Sequence, residues 1–149
     1  MIKEFAIKKY GEIVLELQKQ SYQVEAELIG SYEIPPLKEA LEQLVSSDEL
    51  FIGYFIEGRL VGVLSYKVIK GVIDLHRVMV HPSYFRKGIA KSMVKHVEKQ
   101  YEDALFMIVS TGAKNLPAIE FYKRLGFEKI DENVYGQIVV TNFKKKLSR

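Results

Sequence analysis

From Leu50 to Val80 the chain reads LFIGYFIEGRLVGVLSYKVIKGVIDLHRVMV, a stretch rich in β-branched and aromatic residues whose period is two rather than 3.6. Turn pairs at Glu57-Gly58 and Lys70-Gly71 divide it into three strands. Two-residue turns join antiparallel neighbours and cannot join parallel ones, so the run predicts an antiparallel meander. The third strand, Val72 to Val80, is closed by His81-Pro82, because proline cannot donate to a sheet ladder.

The flanks carry the other elements. Ile2 to Lys8 alternates weakly and predicts a first strand. Tyr10 to Glu27 places Ile13, Val14, Leu17 and Val24 at helical spacing. Gly30-Ser31-Tyr32-Glu33-Ile34-Pro35-Pro36 interrupts that helix, and Leu37, Leu41, Leu44 and Val45 restart the period, with Pro36 near the first helical position and an end near Ser46. After the meander, Gly88 to Tyr101 aligns Ile89, Met93, Val94, Val97 and Tyr101 on one side of an amphipathic helix. Leu105 to Ser110 has strand length. Pro117 and Gly126 bracket a further short helix, and Phe127 to Val134 with Gln137 to Phe143 predicts a closing hairpin that turns near Tyr135-Gly136. The order is β, α, α, three strands, α, β, α, two strands.

The chain has 149 residues, of which 48% are hydrophobic and 28% charged, so residues 1–149 are expected to form one domain with one core. The net charge of +3 is too balanced for a protein that coats nucleic acid, and Lys144 to Lys146 reads as a solvated tail, so no nucleic-acid partner is expected. No cysteine is present, which excludes disulfides, thiolate zinc sites and a cysteinyl acyl-enzyme; no metal site is expected. The opening MIKEF carries no signal-type apolar core, and no run approaches the ~18 apolar residues of a membrane span. The expectation is a cytoplasmic protein with no membrane partner, monomer or homodimer.

Two stretches carry chemistry. Val78 to Ala90, VMVHPSYFRKGIA, reads as strand, turn and glycine-containing loop opening onto a helix; such a loop aims several backbone N–H groups at one spot, and the helix adds the positive end of its dipole. An anion suits it, with Gly88 permitting close backbone approach and Ala90 close helix packing. In NLPAIEFYKRLGF, Asn115 and Tyr122 are seven residues apart, about two helical turns, so both can lie along one side of a helix. The structural alternatives are a helix cap for Asn115 and a core aromatic for Tyr122.

The element order with these two stretches resembles the GNAT superfamily of acyl-CoA-dependent N-acyltransferases, across Phe51 to Phe127 and more loosely at the ends. The family's loop pattern is Arg or Gln, two residues, Gly, one residue, Gly or Ala, after a strand ending in Val-x-Pro. Here Gly88 and Ala90 match, while Phe85 stands where Arg or Gln is usual. The second signature, Asn, two residues, Ala, a Tyr four residues on, then Gly-Phe, is met by Asn115, Ala118, Tyr122, Gly126 and Phe127. The resemblance implies an α+β, three-layer fold with a mixed, mostly antiparallel sheet of about six to seven strands flanked by about four helices.

It also implies acetyl-CoA as co-substrate. The pyrophosphate would rest on main-chain groups at Phe85, Arg86, Lys87, Gly88, Ile89 and Ala90, with Arg86 and Lys87 supplying charge that Phe85 lacks. Val78, Met79 and Val80 would pair with the pantetheine arm, the N–H near Val80 meeting the thioester oxygen. Asn115 and Ala118 would border the pantetheine, and the Tyr122 hydroxyl would protonate the departing thiolate. The acceptor is expected to be the amine of a small molecule or peptide, attacking directly in a ternary complex; the alternative is a non-catalytic acyl-CoA-binding sensor or partner module.

An amine with a pKa of about 10.4 must lose a proton before attack. Asp74 and His76 are the candidate bases, and they share a strand face with Val78 and Val80 if no bulge intervenes; members of the family commonly have one. His76 has the better pKa near neutrality, Asp74 requires burial, and water is a third route. Structural pairing of either residue is the alternative. Tyr22, Glu25, Glu27, Tyr32 and Glu33 offer an acidic and aromatic wall to a cationic amine.

Overall fold

The computed structural model describes residues 1–148. In chain order it has β1 (Ile2–Phe5), α1 (Ile7–Ile29), α2 (Pro35–Lys38), α3 (Leu41–Val45), β2 (Leu50–Ile56), β3 (Arg59–Ile69), β4 (Val72–Val80), a 3₁₀ turn at Pro82–Tyr84, α4 (Ile89–Gln100), β5 (Phe106–Gly112), α5 (Leu116–Arg124), β6 (Glu128–Tyr135) and β7 (Ile138–Lys146). The strands form one sheet in the order β1-β2-β3-β4-β5-β7-β6, antiparallel throughout except between β4 and β5.

The meander folds as its turn residues dictate. Glu57 and Gly58, then Lys70 and Gly71, take positive φ in both turns, with φ of 49°, 80°, 50° and 80° respectively. Two consecutive left-handed residues match the twist of the flanking strands. Glycine at the second position removes half of the steric cost.

Apolar side chains divide between the two faces. On one face Ile89, Met93, Val94 and Val97 of α4 and Tyr122 of α5 pack on Ile52, Leu64, Tyr66, Ile73 and Met107. On the other, Val14 and Leu17 of α1 and Leu44 of α3 pack on Phe51, Val63 and Met79. Gly11 lets α1 approach α3, since a Cβ there would lie 2.6 Å from Val45.

Several expectations need correction. The strand over Ile2 to Lys8 ends at Phe5, and α1 begins at Ile7. Ile13, counted on the apolar stripe of that helix, is 54% exposed, while the polar Gln18 is fully buried alongside Val14 and Ala26. The single helix expected from Leu37 to Ser46 is two short pieces, because Glu39 and Ala40 are extended. With that break there are five α-helices among the described residues, in keeping with the expected about four. Among the described residues no helix is long and apolar enough to cross a membrane.

Candidate active site

β4 and β5 pair over three positions, Val72 with Phe106, Ile73 with Met107 and Asp74 with Ile108, and then part. The parting coincides with an irregularity in β4. Against β3, Ser65 pairs with Arg77 and Tyr66 with Leu75, so His76 is the extra residue of a bulge. The inserted residue reverses the alternation. Ile73 and Leu75 belong to the α4 side, as do Val78 and Val80, whereas Met79 packs with α1. Asp74 therefore does not share a face with Val78 and Val80, as an unbulged strand would require.

Beyond the bulge, the β4 main chain faces the gap in a defined way. His81 N–H donates to the Val61 carbonyl at 2.8 Å, so Val61 and His81 form a hydrogen-bonded antiparallel pair. Alternation then turns the N–H and C=O groups of Val78 and Val80 away from β3 and into the opening towards β5. Met79 uses its main-chain groups on β3.

The loop leading to α4 holds two left-handed residues, Arg86 at φ 63° and Gly88 at φ 77°. Gly88 is the N-cap residue of α4. Nothing lies within 4 Å of where its Cβ would be, so glycine is required by φ and not by crowding. Backbone of this kind turns successive N–H groups inward at a helix N-terminus, which is an anion-binding arrangement. Phe85, Arg86 and Lys87 are exposed, Ile89 is buried beneath them, and Ala90 packs at the edge of the core.

On the other side of the gap, Asn115 caps α5, its Oδ1 accepting from the Ala118 N–H at 3.3 Å. Tyr122 is buried at 6% exposure, its ring against Phe121, Phe127 and Phe143. Burial, and after it the neighbouring Tyr22 and Glu25, push its hydroxyl pKa well above the usual tyrosine value. A phenol in that state stays protonated and acts as a donor.

Tyr22 and Glu25 reach the gap from α1. The Tyr22 hydroxyl sits at the Val78 N–H, and burial, with Glu25 nearby, pushes its pKa up as well. Glu25 Oε1 accepts from Thr111 Oγ1 at 3.1 Å and from Asn115 Nδ2 at 2.9 Å. By alternation Thr111 follows Met107 and Val109, which face α4 and α5. The glutamate thus passes through the opening and joins both layers of the molecule. Glu27, Tyr32 and Glu33 are exposed, and Glu33 pairs with Lys38.

His76 and Asp74 lie in a different group. His76 Nε2 is 3.2 Å from Asp74 Oδ2, and its Nδ1 is 3.7 Å from Glu49 Oε2. Beside them Arg77 donates from Nε to Glu49 at 2.8 Å and from Nη2 to Glu39 at 3.1 Å, and it also bonds Gln18. Gln18 in turn donates to the Pro36 carbonyl and to Glu39. Burial works to raise the Glu39 and Glu49 carboxyl pKa values, and hydrogen bonds from Arg77, joined by Gln18 and Ser65 respectively, reverse it, leaving both below the ordinary value. This cluster ties α1, α2 and the chain before β2 to β4. Its members are 28 to 59 residues from Arg77, so no local motif announces them. The one sequence signal is Gln18 beside Leu17 on an otherwise apolar stripe.

A groove of about 500 Å³ runs along the opposite flank of α1, bordered by Tyr10, Glu16, Phe55, Leu60 and His81. None of the groups tied to Tyr122 lines it, so volume does not mark the site. Among the described residues no group of three or more His, Cys, Asp or Glu side chains is arranged to hold a metal ion.

The family model described as "Acetyltransferase (GNAT) family" matches residues 12–127. The chain belongs to the GNAT acetyltransferase family. It is 37% identical over 118 residues to the UPF0157 protein YqkA of Bacillus subtilis (strain 168), a match covering 79% of this chain and 34% of that protein. It is 28% identical over 97 residues to the spermidine N(1)-acetyltransferase of Thermoplasma acidophilum, covering 64% of this chain and 60% of that protein. The chain therefore spans part of the length of both relatives. In fold it is similar to the PaiA N-acetyltransferase of Thermoplasma acidophilum in complex with coenzyme A, with a TM-score of 0.81, 23% identity and coverage of 99% of this chain and 98% of that one. The ribosomal-protein-S18-alanine N-acetyltransferase of Escherichia coli gives a TM-score of 0.81 at 16% identity, covering 100% of this chain and 94% of that one. The GNAT domain has the expected α+β architecture, its mixed sheet seven-stranded and covered by helices on both faces.

Proposed function

We propose that the domain transfers the acetyl group of acetyl-CoA to a primary amine of a small molecule or peptide, by direct attack in a ternary complex. The observation that carries this reading is the buried, protonated Tyr122 hydroxyl at the same opening as the inward-facing main chain of Val78 and Val80. Donors at the start of α4 hold the pyrophosphate, chiefly main-chain N–H groups from Arg86 to Ala90. The Val78 to Val80 main chain extends along the pantetheine, with Asn115 and Ala118 on its far side. The Val80 N–H meets the thioester oxygen as its charge grows.

The bonds and protons balance without a covalent enzyme intermediate. The acceptor ammonium gives one proton to solvent. The free amine nitrogen attacks the acetyl carbon, the C–N bond forms and the C–S bond breaks. A second proton leaves nitrogen as the amide forms, and the sulfur receives one from Tyr122, which regains its own. Holding both reactants at one opening contributes through proximity. His76 and Asp74, the candidate bases, pair with each other, and His76 with Glu49, away from the opening, so the proton leaves through water.

The relatives named as acetyltransferases of spermidine and of a ribosomal-protein alanine support an amine acceptor. The test is calorimetry with acetyl-CoA followed by thiol release against polyamines, amino acids and peptides with free N-termini. Binding with thiol release in the presence of an amine is expected. Absence of binding at millimolar acetyl-CoA overturns the reading, and tight binding without thiol release replaces it with an acyl-CoA-binding module.

A further inference from the structure

Several carboxylates on the α1 side of the sheet are already neutralised. Glu39 and Glu49 pair with Arg77, and Glu33 pairs with Lys38. Glu25 differs in both partner and place. Its two hydrogen bonds come from neutral donors, Thr111 and Asn115, and both end on Oε1. Among the described residues Oε2 accepts no hydrogen bond and Glu25 has no cationic partner. The carboxylate nevertheless stands at the opening that holds Tyr122, within electrostatic reach of that hydroxyl and of Tyr22.

A part-buried carboxylate without a cation is costly to maintain unless a ligand supplies the charge. The clamp on Oε1 also fixes its direction. Thr111 belongs to β5 and Asn115 caps α5, so two separate elements hold the Oε1 end of the carboxylate and leave Oε2 as its open acceptor.

We propose that Glu25 is the acceptor-binding residue, its Oε2 pairing with the ammonium of a primary aliphatic amine and selecting substrates that are cationic at neutral pH. The proposal rests on the acetyl-transfer reading for its catalytic consequence, but the binding it describes is separable from transfer. Tyr22 flanks the ammonium and Tyr122 lies beyond it, so the pair places nitrogen on the side from which it attacks.

The test compares wild type with Glu25→Gln, which retains an acceptor for Thr111 and Asn115 but removes the charge. Two probes of similar shape are used: n-butylamine, cationic at neutral pH, and O-propylhydroxylamine, which is uncharged. The expected result is a rise in KM for n-butylamine of about 30-fold, the loss of one charge-assisted contact. KM for O-propylhydroxylamine, kcat with that probe and acetyl-CoA affinity should change less than about threefold. Glu12→Gln, on the exposed flank of α1, should alter neither. Equal losses for both probes, or no loss for either, overturn the assignment.

Calorimetric titration of n-butylammonium chloride into the coenzyme-A-loaded protein gives a second readout that needs no turnover. Weaker binding to Glu25→Gln than to wild type is expected; equal binding, or none to either, overturns the proposal. If wild type binds n-butylammonium through Glu25 yet transfers acetyl to no amine, the transfer reading fails and the Glu25 assignment stands. Should Glu25→Gln not fold, Glu25→Asp keeps the charge, shortens the reach and is expected to bind the ammonium about tenfold more weakly.

Discussion

Arg77→Ala removes the one cation that joins Glu39 and Glu49 while leaving both carboxylates in place. The arginine and Glu49 side chains are 12% and 9% exposed, so water replaces little of what is lost. Breaking a buried pair by removing one partner costs about 3–5 kcal/mol, because a charge is left without compensation. Here two carboxylates and the Gln18 carbonyl lose their donor together, which places the loss at the upper end. At roughly 2–4 °C per kcal/mol for a domain of this size, the melting temperature should fall by about 10–20 °C. The pH dependence carries the sign. Both glutamates have depressed pKa values in the folded protein, so their contribution is present above the ordinary glutamate value of about 4.3 and is lost as pH falls through the depressed values. Without Arg77, burial raises both, and protonation relieves the variant as pH drops. The gap between wild type and variant should be widest near pH 7 and should narrow towards pH 4, read as urea midpoints at each pH. A loss below about 1 kcal/mol at pH 7, or a gap that widens in acid, refutes the claim that this cluster pins α1 to β4.

Other outcomes follow from the same geometry. Tyr122→Phe should lower kcat by about 100-fold, with coenzyme affinity by calorimetry nearly unchanged; unaltered turnover removes Tyr122 from the mechanism. Tyr22 and Tyr122 have raised pKa values when folded, so their contribution to stability is full below the unfolded value of about 10 and is lost as pH rises above it; thermal melts from pH 8 to 11 should show the decline. Gly88→Ala must hold a left-handed residue at φ 77° and should cost about 1–2 kcal/mol in urea unfolding while weakening acetyl-CoA binding. Phe85→Arg, at a 40% exposed position beside the α4 N-terminus, should tighten acetyl-CoA binding several-fold at low salt, an effect that shrinks at high ionic strength.

The strands and their turns were open to sequence reading because each depends on local chemistry. Gly58 and Gly71 mark turns that need positive φ, and Gly88 marks the loop before α4. The break between α2 and α3 left no such mark, since Leu37, Leu41 and Leu44 keep the helical period across two extended residues. The bulge at His76 was open to reading only through the family resemblance: one extra residue changes which face every later side chain takes, yet no residue type encodes it. Tyr122 and Asn115 were singled out by the resemblance of NLPAIEFYKRLGF to the family's second signature and Glu25 as one acidic residue among several, but the contact between Glu25 and Asn115 spans 90 positions and arises only once α1 crosses the gap.

These hidden features have a common physical origin. β4 begins in parallel register with β5, and α4, which links them, packs on β3 and β4 with Ile89 and Met93 against Gly62. The bulge then turns β4 so that Met79 serves the α1 core while Val78 and Val80 keep their side chains on the α4 face. From that point the main chain of β4 has no strand on its β5 side, and its N–H and C=O groups need partners from elsewhere. Tyr22 meets one of them at Val78. In the proposed function, the extended, amide-containing arm of the coenzyme would meet the rest. On the proposed function, binding in this domain is therefore a consequence of an incomplete sheet: the groups that would select the coenzyme are backbone groups, which every sequence possesses, and the bulge and strand parting decide which of them have no strand partner.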